Sequence, residues 1–224
     1  MVGRLLPLGL LAGCTSVATL QGARPLEPGQ RAFQVGVSAQ YGSSSASGAL
    51  AVPLPQVDVG LRWGLAPDLD WGLRAYLLGV RGDLRYRFAR AGNWHFAAQP
   101  GFALAGLPVP TYLVMNADLD MPVLAEVVLG PRASLTLAGR ALAREHVAWI
   151  SNDLGSGVSG RYEFLAGGGA RYALAFGRVG LGFFADGLAN TTRGGPPWVT
   201  GGVDLAIGPR KKAPEAAPPE VAGP

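Results

Sequence analysis

The chain has a single cysteine, Cys14, among 224 residues, so no internal disulfide can staple it. Its two histidines, His95 and His146, fall on different segments with no cysteine or second histidine beside them, which argues against a metal centre. Charge is sparse, at 15% of residues, and Lys211–Lys212 is the only lysine pair. A nucleic-acid surface needs a basic patch, and none is present. No run of eighteen apolar residues exists, which excludes a transmembrane helix but not strands that cross a membrane. Gly167–Gly169 lacks the flanking helix and lysine of a phosphate loop.

Glycine, by contrast, is plentiful at 34 residues, and a period of two runs through most of the chain. It is clearest in Gln56–Phe88. Asp58, Gly60 and Arg62 alternate with Val57, Val59, Leu61 and Trp63. Asp70, Gly72 and Arg74 alternate with Trp71, Leu73 and Ala75. Asp83, Arg85 and Arg87 alternate with Leu84, Tyr86 and Phe88. Successive strand side chains point to opposite faces, so each run carries one apolar and one charged face.

The same pattern predicts ten strands between Arg31 and Ile207. Ala66-Pro67-Asp68, Ala91-Gly92-Asn93, Gly130-Pro131 and Phe176-Gly177-Arg178 read as short turns. Gly42–Gly48, Gly106–Asp120, Ile150–Gly160 and Asn190–Pro197 read as longer polar loops. Pro100 predicts an irregularity in the fifth strand, which spans Trp94–Leu104. An even strand number with short turns at one end and long loops at the other predicts an all-β fold: a closed, antiparallel, up-and-down transmembrane barrel of about ten strands. Both termini then lie on the periplasmic side of a bacterial outer membrane. A soluble β-sandwich shares the alternation but accounts for neither the connection lengths nor the aromatic placement.

Aromatic residues on the apolar faces gather towards the strand ends. Phe33, Trp63, Trp71, Phe88, Trp94 and Tyr172 fall near one end, and Tyr41, Trp149, Tyr162 and Trp198 near the other. Two such girdles are expected at headgroup depth. The opposite faces carry Asp58, Arg62, Asp70, Arg74, Asp83, Arg85, Arg87, Glu126, Arg140, Arg144, Arg161, Glu163, Arg171, Asp186 and Asp204. Arginine pairs with carboxylates through two parallel hydrogen bonds, and a barrel of this size is narrow, so these residues are candidates for closing the lumen.

Met1–Gly13 has the form of a signal peptide, with Arg4 ahead of the apolar stretch Leu5–Leu11. Its end, Leu11-Ala12-Gly13-Cys14, resembles a bacterial lipobox. That resemblance implies acylation of Cys14, in the manner of a palmitoylated lipoprotein, and handling by the lipoprotein-sorting machinery. With Thr15 and Ser16 following, it implies release to the outer membrane. Residues 14–30 then form a tether at the periplasmic surface, 31–208 the barrel, and 209–224 a disordered Pro/Ala-rich tail.

Over Arg31–Ile207 the chain resembles, by pattern, the small outer-membrane β-barrels of Gram-negative bacteria. The resemblance implies contact with outer-membrane lipid, insertion by the barrel-assembly machinery, a monomer, and no cofactor. The function expected is structural or surface interaction through the outer loops, with an unidentified partner outside. The alternative is a narrow ion or small-solute channel with slight anion preference. Enzymatic barrels are the remote alternative. Omptin proteases use paired acids and a His–Asp pair at the rim, where Asp118 and Asp120 are the candidate carboxylates, but Arg144 and Ala148 flank His146. Lipid A deacylases need a Ser–His–acid set on the lipid face, whereas His146 falls on the inward face and Ser151 in a loop.

Overall fold

Every connection in the sheet is antiparallel, and the last strand pairs with the first. The computed structural model describes residues 20–41, 54–109, 112–152, 155–192 and 197–209. The strands are β1 (Arg31–Tyr41), β2 (Leu54–Ala66), β3 (Leu69–Tyr76), β4 (Gly79–Ala91), β5 (Trp94–Ala98), β6 (Gly101–Val109), β7 (Tyr112–Val128), β8 (Ala133–Asn152), β9 (Gly155–Phe176), β10 (Val179–Asn190) and β11 (Trp198–Ile207). β5 and β6 occupy one place in the wall. Both pair with β4 on one side and β7 on the other, in continuous register across Gln99–Pro100. Pro100 has no N–H to give the ladder, which explains the break. The structure is a closed up-and-down barrel of ten strands.

Closure removes every sheet edge, and the alternation decides which solvent meets each face. Val37, Val57, Leu61, Leu73, Leu84, Phe102, Leu119, Leu137, Phe164, Phe183 and Val203 are exposed on the outside. Asp70, Asp118, Asp120, Glu126, Arg140, Arg144, Asp186 and Asp204 are buried inside. A soluble barrel has the reverse arrangement. This wall satisfies its backbone within the sheet and turns its apolar side outward, as the hydrocarbon of a bilayer demands. The chain is therefore an outer-membrane-type β-barrel. Ile207, the last residue of β11, pairs with Phe33, two residues into β1, so both ends of the wall lie at the periplasmic end.

Two of the expected outer loops are strand. β6 runs to Val109 and β7 starts at Tyr112, and β8 and β9 reach Asn152 and Gly155. Within Gly106–Asp120 the alternation was present: Asn116, Asp118 and Asp120 are buried while Met115 and Leu119 are exposed. Ile150–Gly160 reads as loop because it is polar on both faces. Strands of 20 and 22 residues exceed what the bilayer needs, and past it the outward face no longer has to be apolar. The outer connections that hold Gly42–Gly48 and Asn190–Pro197, the signal peptide, Cys14 and the tail beyond Pro209 lie partly or wholly outside the described residues.

The tether is also not where composition placed it. Residues 20–26 lie inside the barrel. The chain passes the periplasmic rim at Gly64, whose N–H donates to the Gln30 carbonyl (2.9 Å) and whose carbonyl accepts from the Gly29 N–H (3.0 Å). A side chain at Gly64 would collide with the Glu27 backbone, so this inward position has to be glycine for the segment to enter.

Candidate functional site: the charged lumen and its plug

β2, β3, β4, β7, β8 and β10 each turn one or more charged side chains into the lumen, and these meet in a continuous chain. Arg85 and Arg62 both hold Asp70. Arg62 also holds Asp83. Arg81 lies 3.7 Å from Asp83 and 2.6 Å from Asp120. Arg140 contacts Asp120 at 2.6 Å and pairs with Asp186 on the far wall. Four arginines and four aspartates thus alternate across the lumen with no net charge. Gln99 adds a hydrogen bond to Asp83 at 2.9 Å.

A second chain lies along β3, β2, β1, β11 and β9. Arg74 is 3.4 Å from Asp58 and donates to Gln34 at 3.0 Å. Gln34 donates to Asp204 at 3.2 Å, and Arg171 grips Asp204 through Nε and Nη2 at 2.9 and 2.7 Å. Nearer the outer mouth, Arg144 grips Asp118 through Nε and Nη2 at 2.9 and 3.1 Å. Beside it Leu142, Leu165 and Leu188 form a buried apolar layer. At the rim, Arg161 pairs with Glu163, and His146 stands 3.3 Å from the same carboxylate.

The plug occupies part of the periplasmic half. Leu20, 2% exposed, packs with Ala23 against Ala97, Leu124, Ala138 and Phe184. Gly169 provides its seat, since any side chain there would strike Leu20 Cδ1. Arg24 binds Glu126 three ways: its N–H donates at 3.2 Å, Nε at 2.9 Å, and Nη2 lies 2.7 Å from Oε1. Arg85 donates to the Gly22 carbonyl at 2.6 Å, and the Leu26 N–H donates to Asp70 at 2.8 Å. The plug therefore hangs on the same aspartate that ends the main ion chain.

Most of the charged residues singled out from the sequence meet in these networks. Arg87 does not: it binds Asp68 in the β2–β3 turn and touches His95 at 3.2 Å, at the periplasmic rim. Sequence reasoning missed Arg81, Asp118, Asp120 and Arg24. Arg81 sat in a presumed turn, the two aspartates in a presumed loop and Arg24 in a presumed surface tether. Counting them, the lumen pairs Arg24, Arg62, Arg74, Arg81, Arg85, Arg140, Arg144, Arg161 and Arg171 against Asp58, Asp70, Asp83, Asp118, Asp120, Glu126, Glu163, Asp186 and Asp204. The signs balance. The one-arginine excess among the residues singled out from the sequence is Arg87, which stands outside these networks.

The aromatics Phe33, Tyr41, Phe88, Trp94, Trp149, Tyr162 and Tyr172 are exposed on the outer face. Trp63 and Trp71 pair across the β2–β3 hairpin, their rings stacked at 4.5 Å and 14°. Trp198 is a correction. It shares the parity of Thr200 and Asp204, so it faces inward, packs on the Leu142–Leu165–Leu188 layer and lies 5.8 Å from the Arg144 guanidinium.

The enzymatic sets considered from the sequence do not assemble. Asp118 and Asp120 are engaged by Arg144, and by Arg81 and Arg140, and lie inside the wall rather than at the mouth. Among the described residues, no group of three or more His, Cys, Asp or Glu side chains is arranged to hold a metal ion.

No protein-family profile and no curated protein sequence matches the chain. Solved structures do. Neisserial surface protein A is 10% identical over 79% of this chain and 96% of that one, with a TM-score of 0.42. Ail, the attachment invasion locus protein of Yersinia pestis, is 11% identical over 81% and 97%, with a TM-score of 0.43. An outer membrane channel from Pseudomonas putida F1 is 10% identical over 85% and 99%, also at 0.43. The fold stands on the strand register described above, independently of these likenesses.

Proposed function

We propose that the chain is a non-conducting barrel of the outer membrane, with a structural role or a surface role exercised through its outer rim. The observation that carries this reading is the ion chain from Asp70 to Asp186, which crosses the lumen from β3 to β10. Buried charges of this kind are held by one another, and parting them costs several kcal/mol for each ion left alone. The apolar Leu142–Leu165–Leu188 layer closes the lumen a second time on the outer side. In planar bilayers the purified protein is expected to give no unitary currents at either polarity; steady unitary openings sink the reading.

A narrow channel is the second reading. One observation favours it: a cavity of about 610 Å³ reaches from the periplasmic mouth to Arg62 and Asp83, so only part of the lumen is filled. More arginines than carboxylates line that cavity, so such a channel would favour anions.

Cys14 is proposed as the acylated first residue of the mature chain, which brings in the lipoprotein-sorting machinery alongside barrel assembly. The plug bears on this. Leu20 lies level with Ala138, about five residues in from the start of β8, or roughly 13 Å above the periplasmic edge for a tilted strand. Six residues extend to at most about 20 Å, long enough to return to the inner leaflet. The outward aromatics serve as interface anchors in this reading, and the protein acts as a monomer whose outer partner is unidentified.

A further inference from the structure

We propose that the periplasm-facing cavity is a binding site for a small oxyanion of the phosphate class. The cavity lies beside the plug, bounded by Gln21 to Glu27 on one side and by Gln34, Gly60 and Arg74 on the other. The lumen as a whole is neutral, but this surface is not. Arg74, Arg85 and Arg171 line it, while their carboxylate partners Asp58, Asp70 and Asp204 stand behind them and do not. Of the lining acids, Asp83 and Glu126 are taken by Arg62 and Arg24, and Glu27 accepts a hydrogen bond from Gln30 at 2.9 Å. At the mouth, Arg90 and Arg178 line the cavity with no ion pair to a carboxylate among the described residues.

Within this lining Arg74 is loosely engaged. It is 5% exposed, and neither its Nη1 nor either oxygen of Asp58 beside it has a hydrogen-bond partner. Its closest contact with Asp58 is through Nε, at 3.4 Å. A buried guanidinium N–H left unsatisfied is costly and uncommon, and the planar fork of arginine suits two oxygens of one anion. Gly60 lines the same pocket, and a Cβ placed on it would come within 3.5 Å of Arg74 Nε. Glycine at that inward position leaves room for a ligand atom beside the guanidinium. From the periplasmic mouth the cavity reaches Arg62 and Asp83 of the ion chain.

The test titrates inorganic phosphate into the full chain in maltoside micelles by calorimetry. Saturable binding is expected. Arg74→Gln should weaken it about tenfold or more, the value of a charge-assisted hydrogen bond. Because that variant disturbs Gly60's neighbour Asp58, Gly60→Asp provides a second arm: it keeps every arginine, places a carboxylate in the pocket and should abolish binding. Gly60→Asn fills the same space without the charge and should weaken binding less than Gly60→Asp. Phosphatidylglycerol added to the micelles separates the sources. Displacement of inorganic phosphate by the lipid assigns the site to a phospholipid headgroup, and an unchanged titration assigns it to a free phosphate. No saturable binding below the millimolar range, or equal affinity in wild type, Arg74→Gln and Gly60→Asp, overturns the proposal.

Discussion

Replacing Arg140 with alanine is expected to destabilise the barrel by about 3–5 kcal/mol, the cost of removing one partner from a buried ion pair. Arg140 bridges Asp120 on β7 and Asp186 on β10, across the middle of the lumen. Asp120 keeps Arg81, but Asp186 loses the only cation paired with it in the described network. The penalty arises from the orphaned carboxylate rather than from the lost attraction alone. Arg140→Ala combined with Asp186→Asn should therefore recover part of the loss, since an amide is far cheaper to bury than an ion. Urea unfolding in lipid vesicles, followed by tryptophan fluorescence, measures both. A loss below about 1 kcal/mol for the single variant, the value of an exposed pair, would mean that the mid-lumen is wet.

Glu126→Ala should release the plug. Three contacts from Arg24 end on that carboxylate, and among the described residues no other acid pairs with it. Arg85 still reaches the Gly22 carbonyl and Asp70 still accepts from the Leu26 N–H, so the segment is loosened at its middle rather than expelled. Losing about 3 kcal/mol corresponds to an opening equilibrium roughly a hundredfold more favourable. Hydrogen exchange at the Arg24 and Leu26 amides should speed up by that factor, while amides of β8 and β9 keep their protection. Equal exchange in wild type and variant would place the segment outside the lumen.

The wall was legible in the sequence because the outward face has to satisfy one solvent throughout. Val57, Val59 and Leu61 against Asp58, Gly60 and Arg62 leave no other register once the bilayer is named. Legibility failed where that constraint lapses. Past the bilayer, β8 and β9 no longer need an apolar outer face, so strand read as loop. Trp198 was taken for an interface anchor on its type alone, although counting by twos from Asp204 puts it inside with Thr200. The plug has no period of its own, because each of its residues answers a different part of the lumen. A signal for it existed nonetheless. Inward positions such as Gly36, Gly60, Gly64, Gly72, Gly167 and Gly169 carry no side chain, so the strands alone could not fill the barrel and something else had to.

Site-directed spin labelling along β8 tests the inside-out wall most directly. Single cysteines are placed at Leu135, Leu137, Ala141 and Ala143 in a Cys14→Ser background, labelled, and read in lipid vesicles. All four face outward, alternating with the buried Thr136, Ala138, Arg140 and Leu142. The account predicts frequent collision with oxygen dissolved in the bilayer and shielding from a water-soluble nickel chelate at all four positions. Labels reached by the nickel chelate as freely as by oxygen would show that this face meets water or another protein layer, and the membrane barrel would fall.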